Sequence, residues 1–514
     1  MAARSGAARL KQVGETRARL SLDAPISDLL TIDGDERTAL GPDGTNAYGC
    51  KPFPEPFILD FSSSTASSIS EEAMRRVGAA RDLLQARSVG AGLSYAFAGA
   101  VEDARLELAI HLGLETGTDV IFAASGTDGQ LTALFLTRLL LGGPVTTIIV
   151  GSDQTGSGTA FTSIGRHVGH VTAQGASVEC GDTIPGLGDT QTEHISFLKN
   201  DGTFRSLGEM DEAVVNAAER AVRAGRKVLV QAMDASKFGW RAPSDDALDF
   251  IRNRRAGQVQ IVVDACQMRL GRARLQDLLA RGYIALVTGS KFFTGPAFSG
   301  AILVPERLSA RLKHMIVQPF CLGDYSSVHD WPEAWSNMQE GLSTAPRIGQ
   351  WLRWQAALEE MRLYFQIPGN VRHGIATALA STLETSIKTS TCLHLLDHEA
   401  RAADVDGCQS IFAVIPGPKA TPLPQEACAA AYRSLQRSKK VGAQPCRVGQ
   451  PVSLPARRTA ALRLSISARA IRSCWADTAN GIRIKTEHQQ AGIKTIVKRL
   501  ECEIASCSGQ KWGA

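Results

Sequence analysis

Lys291 is the residue of this sequence best placed to form a covalent bond with a carbonyl compound. It follows the apolar stretch Ile284–Thr288 through a Gly-Ser pair, and two phenylalanines come directly after it. An amine removed from water has a lowered pKa, which favours imine formation. A lysine in a turn is more often solvated, so the meaning of Lys291 depends on the polar residues that follow the neighbouring stretches.

Asp264 and Gln267 follow the preceding apolar stretch, one strand–helix–strand unit before Lys291. A carboxylate at the end of an apolar strand needs a partner, because an unpaired charge there is costly to desolvate. A protonated pyridine nitrogen is one such partner, and the charge pair keeps the ring an electron sink for a carbanion at the α-carbon of a substrate. The alternative interpretation is that Asp264 caps a helix.

Two further turns combine small and polar residues in a way that suits an anion. Ser125, Gly126 and Thr127 stand between a predicted strand and a predicted helix, where backbone N–H groups and the helix dipole attract negative charge. The turn around Thr155, after the next strand, has a similar composition. An ordinary helix cap would explain the first turn equally well when that turn is taken alone.

The elements that must position these residues are short apolar stretches separated by helical ones. Apolar strands alternating with helices predict a mostly parallel sheet that is flanked by helices on both faces. Ligands of such sheets bind at the carboxyl ends of the strands, so the polar residues that follow each stretch are expected to form one site. The predicted strands are residues 120–124, 146–150, 227–232, 259–264, 284–288 and 300–304, and the predicted helices include residues 70–87, 211–224 and 272–280.

At 514 residues the chain is longer than one hydrophobic core usually allows, so we expect it to divide into domains. We predict an N-terminal arm over residues 1–57 and a large domain over residues 58–325. A smaller α+β C-terminal domain with a connecting helix is predicted over residues 326–514. Within it, residues 410–414 and 461–466 are predicted strands, and residues 439–458 are predicted to form a loop.

The composition argues against several classes of protein. The net charge of +5 comes from 56 basic and 51 acidic residues spread along the chain, which is too diffuse for a nucleic-acid partner. No apolar run reaches the roughly 18 residues that a membrane span requires. The 11 cysteines are scattered, with no CxxC pair and no histidine cluster at metal spacing. We therefore expect no metal, no disulfide and a cytoplasmic location.

The first twenty residues are rich in alanine and arginine, and they lack the apolar core of a secretory signal. Their arginines would suit an organelle transit peptide. Glu15 and the absence of any other marker favour a flexible arm instead. The arginines are Arg4, Arg9, Arg17 and Arg19.

Four motifs together resemble the fold-type I pyridoxal-5′-phosphate (PLP) enzymes, and within them the class V branch of aminotransferases and cysteine desulfurases. Residues 58–66, ILDFSSSTA, are similar to the first segment of that branch. Ser125-Gly-Thr-Asp is similar to its phosphate loop, and Asp264-Ala-Cys-Gln matches its D-x-x-Q pattern. Thr288-Gly-Ser-Lys matches the segment that ends in the Schiff-base lysine. The resemblance covers residues 58–305 and implies the α/β PLP-dependent transferase fold of type I.

The resemblance also implies a role for each matched residue. Lys291 would be the catalytic residue and would bind PLP as a Schiff base. Asp264 would pair with the pyridine nitrogen, and Gln267 would bond the phenolic oxygen of the ring. The ligands predicted for the phosphate and the rest of the cofactor are Ser125, Gly126, Thr127, Thr155, Ser236, Thr288 and Ser290.

Two residues are predicted to bind an amino acid substrate. The strand Leu462-Arg-Leu-Ser resembles the C-terminal strand whose arginine binds the substrate carboxylate, so Arg463 is the predicted ligand. Arg469 is a competing candidate. Tyr48, in the N-terminal arm, would reach the substrate or would merely pack on the core.

The sequence departs from the branch at three places. The turn that often carries a ring stacking on the cofactor offers only Gln154 or Thr155, and residues 234–239 replace a loop that usually contains Asn and Glu. Neither Cys408 nor Cys428 matches the mobile-loop cysteine of the desulfurases. The third departure favours transamination over desulfuration.

We therefore predict a PLP-dependent enzyme that acts on an amino acid through α-carbanion chemistry, with Lys291 as the base and with a preference for aminotransferase activity. The alternatives are a C–S or β/γ-elimination lyase and a non-catalytic regulatory protein of the same fold. The family further implies a homodimer with the active site at the interface. There, residues 325–327 would contact a phosphate bound in the neighbouring subunit.

Overall fold

The computed structural model describes residues 22–401, 407–436, 444–478 and 481–508. The arginine-rich first twenty residues, for which the sequence leaves a transit peptide or an arm open, lie outside this part of the chain. Within the described residues, no helix is long and apolar enough to cross a membrane. The strands, in chain order, are β1 Leu59–Phe61, β2 Asp119–Ala123, β3 Val145–Val150, β4 Thr190–Ile195, β5 Lys227–Met233, β6 Val259–Asp264, β7 Ile284–Thr288, β8 Gly300–Val304, β9 Leu393–Leu395, β10 Ile411–Pro416, β11 Cys446–Leu454, β12 Thr459–Ser465, β13 Trp475–Thr478 and β14 Gly481–Ile484.

Helices stand between most of these strands. They are α1 Ile26–Leu29, α2 Glu71–Ala91, α3 Leu93–Leu112, α4 Gly126–Leu141, α5 Thr159–Thr162, α6 Leu207–Arg223, α7 Asp245–Arg254, α8 Arg272–Ala280, α9 Glu306–Leu312, α10 Ile348–Phe365, α11 Gly369–Lys388, α12 Gln425–Gln436, α13 Ala468–Ser473 and α14 Glu487–Ser508.

A seven-stranded sheet lies at the centre of the larger part of the molecule. Its strand order is β2-β8-β7-β6-β5-β3-β4. Neighbouring strands are parallel except at β8, which is antiparallel to both β2 and β7. Each predicted strand of this sheet forms, with bounds within one residue of the prediction. The predicted α/β fold with a mostly parallel sheet is confirmed.

Helices cover both faces of this sheet. Val228 and Val230 of β5 belong to the same apolar cluster as Met210 of α6, whereas the intervening Leu229 packs with Leu131 of α4. This alternation follows from the strand geometry, in which successive side chains point to opposite faces. Because both faces are buried, the central strands have continuous apolar sequences rather than alternating ones.

The sequence prediction omits β4 and is wrong for β11. Strand β4 has the polar sequence TQTEHI because it lies at the edge of the sheet, beside β3. Strand β11 lies within residues 439–458, for which the sequence predicts a loop. It contains Gly449 and Pro451, two residue types that are typical of turns. A shift of register between Gly449 and Val452 accommodates both residues as a bulge within the strand. Residues 439–443 of the predicted loop lie outside the described residues.

A second sheet has the strand order β1-β11-β12-β10-β9. The predicted strands at 410–414 and 461–466 correspond to β10 and β12. Strand β1 precedes the large sheet in the chain, yet it pairs in parallel with β11, with Leu59 opposite Cys446. The segment after β1 therefore passes from the second sheet to the large one, and it carries Ser64 and Thr65 with it.

A buried arginine attaches the N-terminal described residues to the rest of the molecule. Arg353 of α10, which is only 1% exposed, donates hydrogen bonds to the carbonyl oxygens of Leu30, Ile32 and Asp33. Its Nε atom donates to the carbonyl oxygen of Phe298 at 2.8 Å. One side chain thus joins the segment around residues 30–33 to the loop before β8.

We expect Arg353→Met to destabilise the protein by roughly 3 kcal/mol, because buried carbonyl oxygens would lose their donors. Denaturant unfolding measures the loss, and limited proteolysis should show faster cleavage within residues 22–57. Arg220→Met is the control, since Arg220 makes a surface ion pair with Glu193. A pair of this kind contributes less than about 1 kcal/mol to the free energy of unfolding. Equal losses of stability in the two variants would contradict this assignment.

Candidate active site

The carboxyl ends of five strands of the large sheet meet at one cavity. Because β2, β3, β5, β6 and β7 run in the same direction, the residues that follow them lie at the same edge. The residues from these strand ends that line the cavity include Ser125, Gly126, Thr127, Gln154, Thr155, Lys237, Asp264, Cys266, Gln267, Thr288, Ser290 and Lys291. The expectation that the polar strand ends form one site therefore holds.

Lys291 presents its amine to this cavity. Its Nζ atom donates a hydrogen bond to the carbonyl oxygen of Thr65, on the segment after β1. Burial is the main cause that lowers the pKa of Lys291 to about 8; the positive charges of Arg463 and Lys237 contribute to this shift, and Cys266 opposes it. A substantial fraction of the amine is therefore neutral near physiological pH, which is the form that attacks a carbonyl carbon.

Asp264 is the last residue of β6, and its carboxylate is held by neutral donors. Oδ1 accepts the N–H of Cys266 at 3.1 Å, and Oδ2 accepts the hydroxyl of Thr155 at 3.4 Å. Helix α8 begins at Arg272 with Gly271 as its N-cap, so Asp264 does not cap it. Among the described residues no cation pairs with Asp264 within ion-pair distance, which leaves its charge for a cationic ligand.

Gln267 and Gln154 each carry a buried polar atom that lacks a partner. Gln267 donates from Nε2 to the carbonyl oxygen of Ser64 at 3.1 Å, while its Oε1 has no hydrogen-bond partner among the described residues. Gln154 accepts from the hydroxyl of Ser236 at 2.6 Å, while its Nε2 has no partner within the same part of the chain. Buried polar atoms are normally paired, so both amides suit a polar ligand in the cavity.

Ser236 has a different position from the one predicted. It is absent from the cavity wall and lies behind Gln154, whose side chain it orients. Its hydroxyl also accepts the N–H groups of Phe238 and Trp240, both at 3.1 Å. Ser236 therefore shapes the turn after β5 instead of contacting a ligand directly, because these internal hydrogen bonds occupy its hydroxyl.

The turn between β2 and α4 has the close packing that an anion site requires. Ser125 caps α4, with its hydroxyl accepting the N–H of Asp128 at 3.2 Å. A Cβ atom on Gly126 would lie 2.5 Å from the Sγ of Cys266, and one on Gly300 would lie 2.5 Å from the carbonyl carbon of Ser125. Small residues here keep the first N–H groups of α4 open to the cavity, where they can bind a phosphate.

Arg463 is a buried cation whose hydrogen-bond acceptors, within the described residues, are all neutral. It is 2% exposed, and its guanidinium donates to the carbonyl oxygens of Ser64 and Gln450 and to the hydroxyl of Thr65. Burial lowers the pKa of Arg463 to about 10. Among the described residues it has no carboxylate partner. Arg469, the competing candidate, pairs with Glu360 at 2.6 Å and does not line the cavity.

Two further residues reach the cavity from the N-terminal segment. Tyr48, a predicted substrate contact, lines the wall, and so does Arg37, which the sequence reading did not single out. Arg37 pairs with Asp35 and lies 5.0 Å from the ring centroid of Phe298. No motif marks Arg37, because it reaches the site from a segment that precedes both sheets.

Lys237 is a second residue of the cavity wall that was not predicted from the sequence. It lies in the turn after β5, at the carboxyl end of that strand, where residues of the site are expected. Burial is the main cause that lowers its pKa to about 8; the charge of Arg463 contributes to this shift, and Asp153 and Asp264 oppose it. Its ammonium group has no hydrogen-bond or ion-pair partner among the described residues.

Cys266 is the cysteine that the described residues contribute to the cavity wall, and its pKa is well above the usual range because of burial and the nearby Asp264. Cys408 and Cys428 do not line the cavity, and Cys428 is buried with its thiol directed to the carbonyl oxygen of Leu423.

Residues 325–327 are buried within this chain, so they are not exposed for the predicted contact with a neighbouring subunit. No cluster suited to a metal occurs in the described residues.

We expect Gly126→Ala to weaken PLP binding at least about tenfold, because the new methyl group would displace the start of α4 or the Cys266 side chain. The double variant Gly126→Ala/Cys266→Ala removes the clashing sulfur and should restore most of the affinity. Equilibrium dialysis measures both. A double variant as weak as the single one would show that the close contact with Cys266 is not what requires a glycine here.

Lys237→Met should stabilise the protein at pH 7 by roughly 2 kcal/mol, since a partly buried ammonium with a lowered pKa opposes folding. The pKa of Lys237 is about 8 in the folded protein and 10.5 in an ordinary lysine. The destabilisation is therefore complete below pH 8 and is relieved as the pH rises from 8 towards 10.5. Unfolding at pH 7 and pH 10 measures the change, and a less stable variant at pH 7 would contradict it.

Comparisons with known proteins identify the fold. No protein-family model and no curated protein matches the sequence. A NifS-like protein from Rickettsia africae has a TM-score of 0.51 at 13% identity, over 87% of this chain and 99% of its own. Mouse CSAD has a TM-score of 0.51 at 16% identity, over 88% and 84%, and the cysteine desulfurase CsdA from Escherichia coli has 0.50 at 11%, over 88% and 95%. The chain has the fold of the fold-type I PLP enzymes, as the sequence predicts.

Proposed function

We propose that the protein is a PLP-dependent enzyme that acts on an amino acid, with Lys291 holding the cofactor as a Schiff base. The observation that carries the proposal is one cavity that combines three features. These are the amine of Lys291, the carboxylate of Asp264, which has no cationic partner in the described part of the chain, and the N-terminus of α4. An aldehyde, a pyridinium and a phosphate are the groups that these features suit, and PLP contains all three.

The polar atoms of the cavity fit the remaining parts of PLP. Asp264 would hold the pyridine nitrogen, and the unpaired amide oxygen of Gln267 would accept a hydrogen bond from the ring hydroxyl. Gly126, Thr127 and Thr288 would bind the phosphate together with Ser125. When bound, PLP supplies an electron sink for the electrons of a bond broken at the substrate α-carbon.

The residues of this chain would then bind the substrate and move its proton. Arg463, whose guanidinium has no anionic partner among the described residues, would attract the α-carboxylate by its charge. Lys291, in its free amine form, would take the proton from the α-carbon of the substrate. A pKa of about 8 suits this role, because a general base works best when its pKa is near the working pH.

Among the reactions open to such a site, we propose transamination. The support is the cysteine inventory: the thiol in the cavity wall, Cys266, has a raised pKa, and therefore little thiolate is present to attack sulfur at neutral pH. Loss of a β- or γ-substituent is the alternative, and it requires the same Lys291 and Asp264. We further propose a homodimer located in the cytoplasm.

Reduction of the PLP-treated protein with borohydride should attach the cofactor to Lys291, as peptide mapping by mass spectrometry would show. Lys291→Ala should abolish the adduct and the visible absorbance, while Lys237→Met should retain both. Asp264→Asn should still form the adduct but should lose at least about 100-fold in activity, because the pyridinium would lose its counter-charge.

Accumulation of the pyridoxamine form with an amino donor, and its reversal by a keto acid, would support transamination. Release of a keto acid without any pyridoxamine form would show an elimination reaction. A protein that PLP cannot modify, or an adduct at Lys237 instead of Lys291, would overturn the proposal.

A further inference from the structure

The charges around the cavity are unequal. Of the described residues, four cations line it, Arg37, Lys237, Lys291 and Arg463, and one carboxylate, Asp264. Arg37 is neutralised by Asp35 at 2.5 Å. In the proposed function Asp264 serves the pyridine nitrogen and Lys291 is bonded to the cofactor. Lys237 and Arg463 are then left without an anionic partner from the described residues.

The turn that carries Lys237 is rigidly held. The N–H of Lys237 donates to the carbonyl oxygen of Gln154 at 3.0 Å, and the neighbouring Phe238 and Trp240 are each only 1% exposed. Hydrogen bonds from the N–H groups of those two residues to Ser236 close the turn. The backbone of Lys237 is thereby fixed at the cavity edge, and its ammonium group interacts electrostatically with Arg463.

The nearby carboxylates do not neutralise Lys237. Asp153 attracts it, but both Asp153 oxygens are occupied by the N–H groups of Phe197 and Leu198, at 2.8 and 3.0 Å. Asp153 is also absent from the cavity wall. Asp264 is the other attracting carboxylate, and it lies beyond ion-pair distance from Lys237. Gln450, which lines the cavity from strand β11 of the second sheet, is neutral.

Two enclosed cations that repel each other destabilise the protein unless an anion compensates them. Most N–H groups of Arg463 already donate to protein oxygens, so its positive charge and its remaining N–H would attract one carboxylate. Lys237 offers a separate point charge for a second anionic group. We propose that Lys237 and Arg463 form a paired anion site, so that the substrate is an amino acid whose side chain carries a carboxylate or a comparable oxyanion. This inference rests on the proposed function for the identity of the substrate, but the anion site itself is testable by binding alone.

Calorimetric binding of succinate and butyrate tests the proposal. The two acids have the same chain length, and they differ by the replacement of one carboxylate with a methyl group. We expect succinate to bind the PLP-treated protein at least about tenfold more tightly than butyrate, which corresponds to about 1.4 kcal/mol. Lys237→Met should bring this ratio close to 1 and leave the affinity for butyrate unchanged, while Lys237→Arg should keep a preference for succinate.

Lys227→Met is the matched control, because Lys227 lies at the opposite end of β5 and bonds the carbonyl oxygen of Gly257. It should leave both affinities unchanged. Equal binding of the two acids by the wild-type protein would overturn the proposal. So would a Lys237→Met protein that keeps the preference for succinate but binds PLP more weakly, since Lys237 would then serve the cofactor.

The proposed function fails separately, if the wild-type protein does not take up PLP. In that case the same titrations on the untreated protein still decide the paired anion site. A preference for succinate that disappears in Lys237→Met would support it, and the absence of any such preference would refute it.

Discussion

The segment Ser64–Thr65 is the contact on which the candidate site depends. It accepts hydrogen bonds from Lys291 and Gln267 of the large sheet, and from Arg463 of the second sheet. The hydroxyl of Thr65 also accepts the N–H of Gln450 and a second N–H of Arg463. Two neighbouring residues thus join the amine, the amide and the guanidinium of the site. The parallel pairing of β1 with β11 is what brings them there, because it passes the chain from one sheet to the other at this point.

Enclosed positive charge is the second constraint, and it explains why this arrangement suits catalysis. Within the described residues, Lys291 and Arg463 donate only to carbonyl and hydroxyl oxygens, and the ammonium group of Lys237 has no hydrogen-bond or ion-pair partner. Such a site is stabilised by a ligand that carries several negative charges. The N-terminus of α4 attracts an anion at one end of the cavity, while Arg463 and Lys237 attract anions from the other elements. The charges of the cavity therefore suit an anionic ligand.

The large sheet could be predicted because its strands are buried on both faces, which leaves continuous apolar stretches with polar residues directly after them. The same regularity predicted Asp264, Thr288 and Lys291. Strand β11 could not be predicted from its sequence, since its glycine and proline are accommodated by a bulge that only the pairing with β12 reveals. Arg37 was missed because it precedes both sheets in the chain, and Ser236 was misplaced because it lies behind Gln154, to which its hydroxyl donates.

A crystal structure of the protein, from crystals grown with PLP, would test the central claim most directly. The account predicts continuous electron density between Nζ of Lys291 and the cofactor, a hydrogen bond from the pyridine nitrogen to Asp264, and a phosphate at the first N–H groups of α4. Density for the cofactor on another lysine, or a ring whose nitrogen does not reach Asp264, would contradict it.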